Sequence, residues 1–202
     1  MSENMRVNTA DEETVRAFLA IDLPYGIKAT LGRIQDRLRT LIRDVRWSRP
    51  DSIHLTLQFF GYVPPDHIEL ISETVKKNVE GIEPFMLHLG SPGAFPSITR
   101  PRVVYIGLMG DTEILCRLQA QIAGDLNEIG FKKEERAFTA HLTLGRLKSA
   151  TKLPGLLDAF KKITNPAEGS FTVNNLKLFR SDLKPTGAVY AVLEDYPFGG
   201  GK

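Results

Sequence analysis

His54-Leu55-Thr56-Leu57 and His141-Leu142-Thr143-Leu144 are the same four residues, placed once in each half of a 202-residue chain. At ordinary residue frequencies a second identical copy arises by chance in roughly one chain in several hundred. The chain has four histidines, and two of them head this tetrapeptide. Each copy lies inside a longer run that reads as a strand, SIHLTLQFFG at 52–61 and AHLTLGRL at 140–147. Strand side chains alternate between faces. His54, Thr56 and Gln58 then share one face, and Ile53, Leu55, Leu57 and Phe59 share the core face. His141 and Thr143 stand together in the same way, opposite Ala140, Leu142 and Leu144. Each copy offers an imidazole and a hydroxyl about 7 Å apart on the side away from the core. Strict alternation would send Arg146 to the leucine face, and a bulge or strand end at Gly145 would turn it outward.

Outward from these strands the pattern alternates. VRAFLAIDLP reads as a buried strand, and Pro24 opens a helix with apolar residues at Ile27, Leu31, Ile34, Leu38 and Leu41. VRWS is a short strand. After the first motif, Pro64-Pro65 opens a helix over 66–79. FMLHLG is a strand, SPGAFPSITRPR a turn-rich loop and VVYIGL a strand. A helix from Thr112 to Ile129 stops at Gly130, and a shorter one spans Lys152 to Ile163. FTVNNLKLFRS and AVYAVLEDY close the chain as strands. This order predicts an α+β fold. Strand, helix, HLTL strand, helix occurs twice, so the simplest architecture is bilobal and pseudo-twofold. Two antiparallel or mixed sheets would form a central cleft, with helices packed outside. Residues 1–14 read as a disordered segment and 15–202 as a single bilobal domain.

Composition sets the limits. Hydrophobic residues make up 42% and charged residues 25%, as in a soluble globular protein. A net charge of +2 neither demands nor excludes a nucleic-acid ligand. No apolar run approaches the ~20 residues of a membrane helix, and no signal peptide is visible. Cys116 is the single cysteine, read as a small core residue of a helix, so the cytoplasm is the expected compartment.

Two His-x-Thr pairs facing one cleft suit phosphodiester hydrolysis. One neutral imidazole takes a proton from water while a protonated one gives a proton to the leaving oxygen. Threonine hydroxyls donate to the non-bridging oxygens. The scheme needs no metal or other cofactor. A zinc site built on His54 and His141 would need a third ligand such as Asp22 or Asp51, and nothing in their spacing asks for it. No G-x-S-x-G elbow supports a serine triad, and no glycine-rich phosphate loop occurs. His67 is expected solvated and His88 on a sheet face. Arg146 is the first choice for a further phosphate contact, ahead of Arg100 and Arg102. Phe59, Phe60 and Phe138 are expected in the core, with base stacking as their alternative.

The chain resembles the two-histidine (2H) phosphoesterases, whose signature is a pair of H-x-[ST]-x motifs, here HLTL at 54–57 and at 141–144. RAFLAIDLP, HLTLQFFG and RVVYIGL are similar to the RNA 2′,3′-cyclic phosphodiesterases, also called 2′-5′ RNA ligases or LigT-like proteins. Where many members of that group carry proline before the second motif, this chain has Ala140. The resemblance implies hydrolysis of an RNA terminal 2′,3′-cyclic phosphate to a 2′-phosphomonoester. It implies His54 as proton donor, His141 as proton acceptor, and Thr56 and Thr143 as phosphate grips. Partners would be RNA 3′ ends, such as tRNA fragments, or small 2′,3′-cyclic nucleotides, handled by a monomer. Two alternatives use the same residues: an RNA-end or cyclic-nucleotide binding module without turnover, and ATP-independent 2′-5′ ligation.

Overall fold

A computed structural model describes residues 14–134, 136–148, 153–163, 169–185 and 187–199. The disordered segment expected over 1–14 lies, as far as residue 13, outside the described residues, as does Lys152 at the expected start of the last helix. The fold is α+β with two antiparallel sheets. The strands are β1 (Val15–Asp22), β2 (Val45–Trp47), β3 (His54–Val63), β4 (Phe85–Phe95), β5 (Val103–Gly110), β6 (His141–Leu147), β7 (Ser170–Val173), β8 (Asn175–Lys184) and β9 (Gly187–Pro197). The helices are α1 (Tyr25–Leu41), α2 (Pro65–Val79), α3 (Thr112–Glu128) and α4 (Leu156–Lys162). The first sheet runs β3-β1-β8-β9 and the second β2-β6-β5-β4-β7. The motif strands β3 and β6 lie in different sheets and approach one another.

The sheets exchange strands. β2, from the N-terminal half, pairs with β6 from Val45↔Leu147 to Trp47↔Gly145. β8 and β9, from the C-terminal half, complete the first sheet beside β1. FTVNNLKLFRS, read as one strand, is two: the chain leaves the second sheet at Val173 and enters the first at Asn175. The bend between them is pinned by Phe198 N–H donating to Asn174 O at 2.8 Å.

One apolar cluster draws on both sheets and on the helices, with Leu19, Leu55, Leu142, Leu144, Leu31, Ile71 and Leu115 all fully buried. Each such side chain contributes about 1.5–3 kcal/mol. Pro24 caps the start of α1, and Pro65 is the first residue of α2, where its missing N–H and fixed φ fit. Leu41, expected on the apolar face of α1, is exposed, while Gln35 is buried. Cys116, expected in the core, is exposed on α3. Among the described residues no helix is long and apolar enough to cross a membrane.

SPGAF, expected within a loop, extends β4 to Phe95 past a register shift between Leu89 and Pro92. Among the described residues β7 pairs with β4 over Phe85–His88, and none of them is a ladder partner of Pro92 on that side. Gly93 is required here, because a Cβ would run into the Tyr105 ring.

A second departure falls in the motifs themselves. The β1–β3 register skips Leu57, and the β5–β6 register skips Leu144. Each is a bulge at the residue after the motif threonine, so two successive residues face the core and the alternation inverts beyond them. Gln58 is therefore buried and Phe59 turns outward, the reverse of the strict reading. In the second copy Gly145 is buried and Arg146 is exposed.

Candidate active site

His54, Thr56, His141, Thr143 and Arg146 line one cavity of about 500 Å³. Each imidazole is anchored alike. His54 Nδ1 lies 2.9 Å from Ser52 O, and His141 Nδ1 lies 2.6 Å from Thr139 O. A carbonyl can only accept, so Nδ1 carries the hydrogen in both rings. The neutral rings then hold their lone pair on Nε2, which has no protein partner among the described residues. Either ring can accept a proton there, or donate one once charged. The hydroxyls of Thr56 and Thr143 are likewise without a protein partner among the described residues.

Aromatic rings hold both histidines. Phe18 stacks on His54 at 4.6 Å, and Tyr190 meets it edge-on at 5.2 Å. Phe95 and Tyr105 approach His141 edge-on at 5.0 and 5.4 Å. Alternation along β1 explains the first set. Ala17, Leu19 and Ile21 enter the main core, while Phe18 and Ala20 join Phe179 and Tyr190 in a small cluster on the cleft side. Burial in this setting pushes the His54 pKa down to about 4, against the raising effects of the Ser52 carbonyl and Asp22. His141 is also lowered, by burial and by the Arg146 charge, with the Thr139 carbonyl opposing.

These shifts make folding sensitive to acid. The unfolded His54 titrates near 6.5 and the folded one near 4. Between those values the unfolded chain binds more protons, so stability falls as the pH falls, and the loss is complete below the folded value. The ring is partly open to the cavity, which leaves roughly 2–3 kcal/mol. Urea unfolding at pH 7 and pH 4.5 should show this slope in the wild type. His54→Phe, which keeps the aromatic packing, should lose His54's share of it.

The cavity wall is cationic. Arg16, Arg46, Arg49 and Arg146 line it, with no aspartate or glutamate among the lining residues. None of the four pairs with a carboxylate among the described residues. Arg46 stands directly opposite Arg146 in the β2–β6 ladder, an arrangement of like charges that costs stability without an anion between them. Arg16 lies over the Phe59 ring at 4.5 Å and donates to Ser181 Oγ at 2.6 Å. Arg49 donates to Ala188 O at 3.3 Å.

The five site residues expected from the sequence thus come together, whereas Arg100 and Arg102 are not among the lining residues. Phe60 and Phe138 pack on the core as expected. Phe59 does not: it is 42% exposed and lines the cavity. His67 is half-buried against Phe131 rather than solvated, and neither it nor His88 lines the cavity. The sequence reading missed Arg16, Phe18, Arg46, Arg49 and Tyr190. Period two from Phe18 back to Arg16 could have placed both on the face of His54. Nothing local marks Tyr190, which arrives from β9.

Two His-x-Thr strands meet around one cavity, the arrangement expected of a two-motif phosphoesterase. The chain belongs to the 2′-5′ RNA ligase superfamily, whose family model matches residues 16–185. It is 34% identical over 180 residues to the RNA 2′,3′-cyclic phosphodiesterase of Methanothermobacter thermautotrophicus, covering 89% of this chain and 97% of that one. The enzyme of the same name from Methanocaldococcus jannaschii is 30% identical over 182 residues, covering 90% and 100%. A solved Thermus thermophilus structure superimposes with TM-score 0.74 at 28% identity, over 92% and 98% of the two chains. LigT of E. coli, solved with 3′-AMP, shares the fold at TM-score 0.70 and 24% identity, over 93% and 99%.

Proposed function

We propose that this chain hydrolyses the 2′,3′-cyclic phosphate at RNA 3′ ends to a 2′-phosphomonoester, by two-histidine acid–base catalysis without a metal. The relatives named RNA 2′,3′-cyclic phosphodiesterase, matched over nearly their whole lengths, support a hydrolase of the cyclic-phosphodiesterase type. The observation that carries the mechanism is the matched anchoring of two imidazoles, each with Nε2 unpartnered among the described residues, on one arginine-lined cavity.

Water attacks phosphorus and gives its proton to His141 Nε2. The P–O3′ bond breaks, and the leaving oxygen takes the proton from His54 Nε2. One water is consumed, His54 ends neutral and His141 protonated, and solvent resets the pair. Thr56 and Thr143 donate to the non-bridging oxygens, and Arg146 holds their charge. His54 is neutral in the free site at neutral pH, and an arriving phosphate anion raises its affinity for the proton it must give. The acting unit in this proposal is a monomer, and its compartment is the cytoplasm.

The arginines favour an RNA end over a small cyclic nucleotide. A cyclic phosphate carries one negative charge, whereas four arginines line the cavity and none of them pairs with a carboxylate among the described residues. Arg46 and Arg49 then serve the next phosphate of the strand. The test is product analysis on a short oligoribonucleotide ending in a cyclic phosphate, in excess chelator. The expected product is the 2′ monoester. Loss of turnover in chelator would end metal independence, unchanged cyclic ends would favour a binding module, and joined strands would favour ligation. Arg49→Ala should lower kcat/KM on the oligonucleotide about tenfold and on a cyclic mononucleotide less than twofold. Equal losses on both would remove the role in binding the next phosphate.

A further inference from the structure

Both motif bulges are braced from the opposite half of the chain. A bulged residue's carbonyl leaves the ladder register and needs another donor. Leu144 O receives Gln35 Nε2–H at 2.8 Å, beside Ser48 N–H at 2.8 Å. Leu57 O receives Gln119 Nε2–H at 3.3 Å. Gln35 sits on α1, before the first motif, yet serves the second. Gln119 sits on α3, after the first motif, and serves the first. The brace is crossed, and it reproduces the pseudo-twofold of the two His-x-Thr strands.

The Gln35 side chain is an unusual choice for packing alone. It is 1% exposed, and its amide nitrogen donates to both Ser48 O and Leu144 O. Two carbonyl acceptors fix the orientation of the amide, which leaves Oε1 buried without a partner. An apolar side chain would avoid that cost. What the amide secures is the inversion at Leu144, beyond which Arg146 faces the cavity instead of the core. The equivalent inversion at Leu57 turns Phe59 out, under Arg16.

We propose that Gln35 and Gln119 are positioning residues, each setting the bulge of the opposite motif and so the aim of Arg146 and Phe59. The inference rests on the reading of Arg146 as a phosphate contact in the proposed reaction. Double-mutant cycles separate positioning from plain stability. Gln35→Met and Gln119→Met keep side-chain volume and remove the donors. Affinity for adenosine 2′-monophosphate is measured by calorimetry in the wild type, R146A and F59A backgrounds. Q35M should weaken binding about tenfold in the wild-type and F59A backgrounds, and less than twofold in R146A. Q119M should do the reverse, keeping its effect in R146A and losing it in F59A. An undiminished effect of each in both backgrounds would overturn the proposal.

If R146A itself binds as the wild type does, the functional reading of Arg146 fails. The brace is then judged by the NMR signals of the Gly145 amide and the Arg146 Nε–H. These should shift in Q35M, and unmoved signals would overturn it. Thermal unfolding checks each fold, and Q119M with the Phe59 cycle carries the test alone if Q35M does not fold.

Discussion

His54→Ala and His141→Ala should each lower turnover of a cyclic-phosphate-ended RNA by ~10² to 10⁴. The size follows from what each ring contributes. Without His141, water must attack with no acceptor for its proton. Without His54, the 3′ oxygen must leave as an alkoxide. Both rings are held in place by a carbonyl at Nδ1 and by aromatic contacts. The two losses should differ in kind. An aryl phosphodiester whose leaving group needs no proton should recover much of the rate in His54→Ala and little in His141→Ala. The opposite recovery would exchange the roles of the two rings, and wild-type rates from both variants would end the mechanism.

The second large effect is in the pH profile. The proposed acid, His54, has its pKa near 4 in the free site, and the proposed base is also lowered. The active form needs the acid protonated and the base neutral. Above the pKa of both rings the fraction with a proton on His54 drops tenfold for each pH unit. kcat/KM, which reports the free enzyme, should therefore fall about 10²-fold from pH 6.5 to 8.5. Bound phosphate raises the His54 pKa, so the alkaline limb of kcat should lie at higher pH. Steady-state kinetics across that range decides it. A flat kcat/KM up to pH 8.5 would show that His54 does not enter the reaction as the free enzyme's acid.

Much of this site is legible in the residues. The repeated tetrapeptide gives two strands, a face for each and a pair of imidazoles, because period-two alternation is local. The first departures come where local rules meet a neighbouring strand. Leu57 and Leu144 are ordinary strand residues, and only the register with β1 and β5 makes them bulges. That is why Phe59 and Gln58 exchange faces, whereas Gly145 gave notice for Arg146. Ser91-Pro92-Gly93 carries turn chemistry, and it continues a strand because Gly93 fits beneath Tyr105. Asn174 divides one apparent strand because its two ends belong to different sheets. Tyr190 and Arg49 reach the cavity through long-range pairing that no short window encodes.

The strand exchange between the sheets carries a further consequence. A polypeptide severed in the turn from β5 to α3 would yield two fragments, each owning strands that finish the other's sheet. After the cut the first imidazole would keep Phe18 but lose Tyr190, and the second would lose both Phe95 and Tyr105. Damage to either half is therefore felt at both imidazoles.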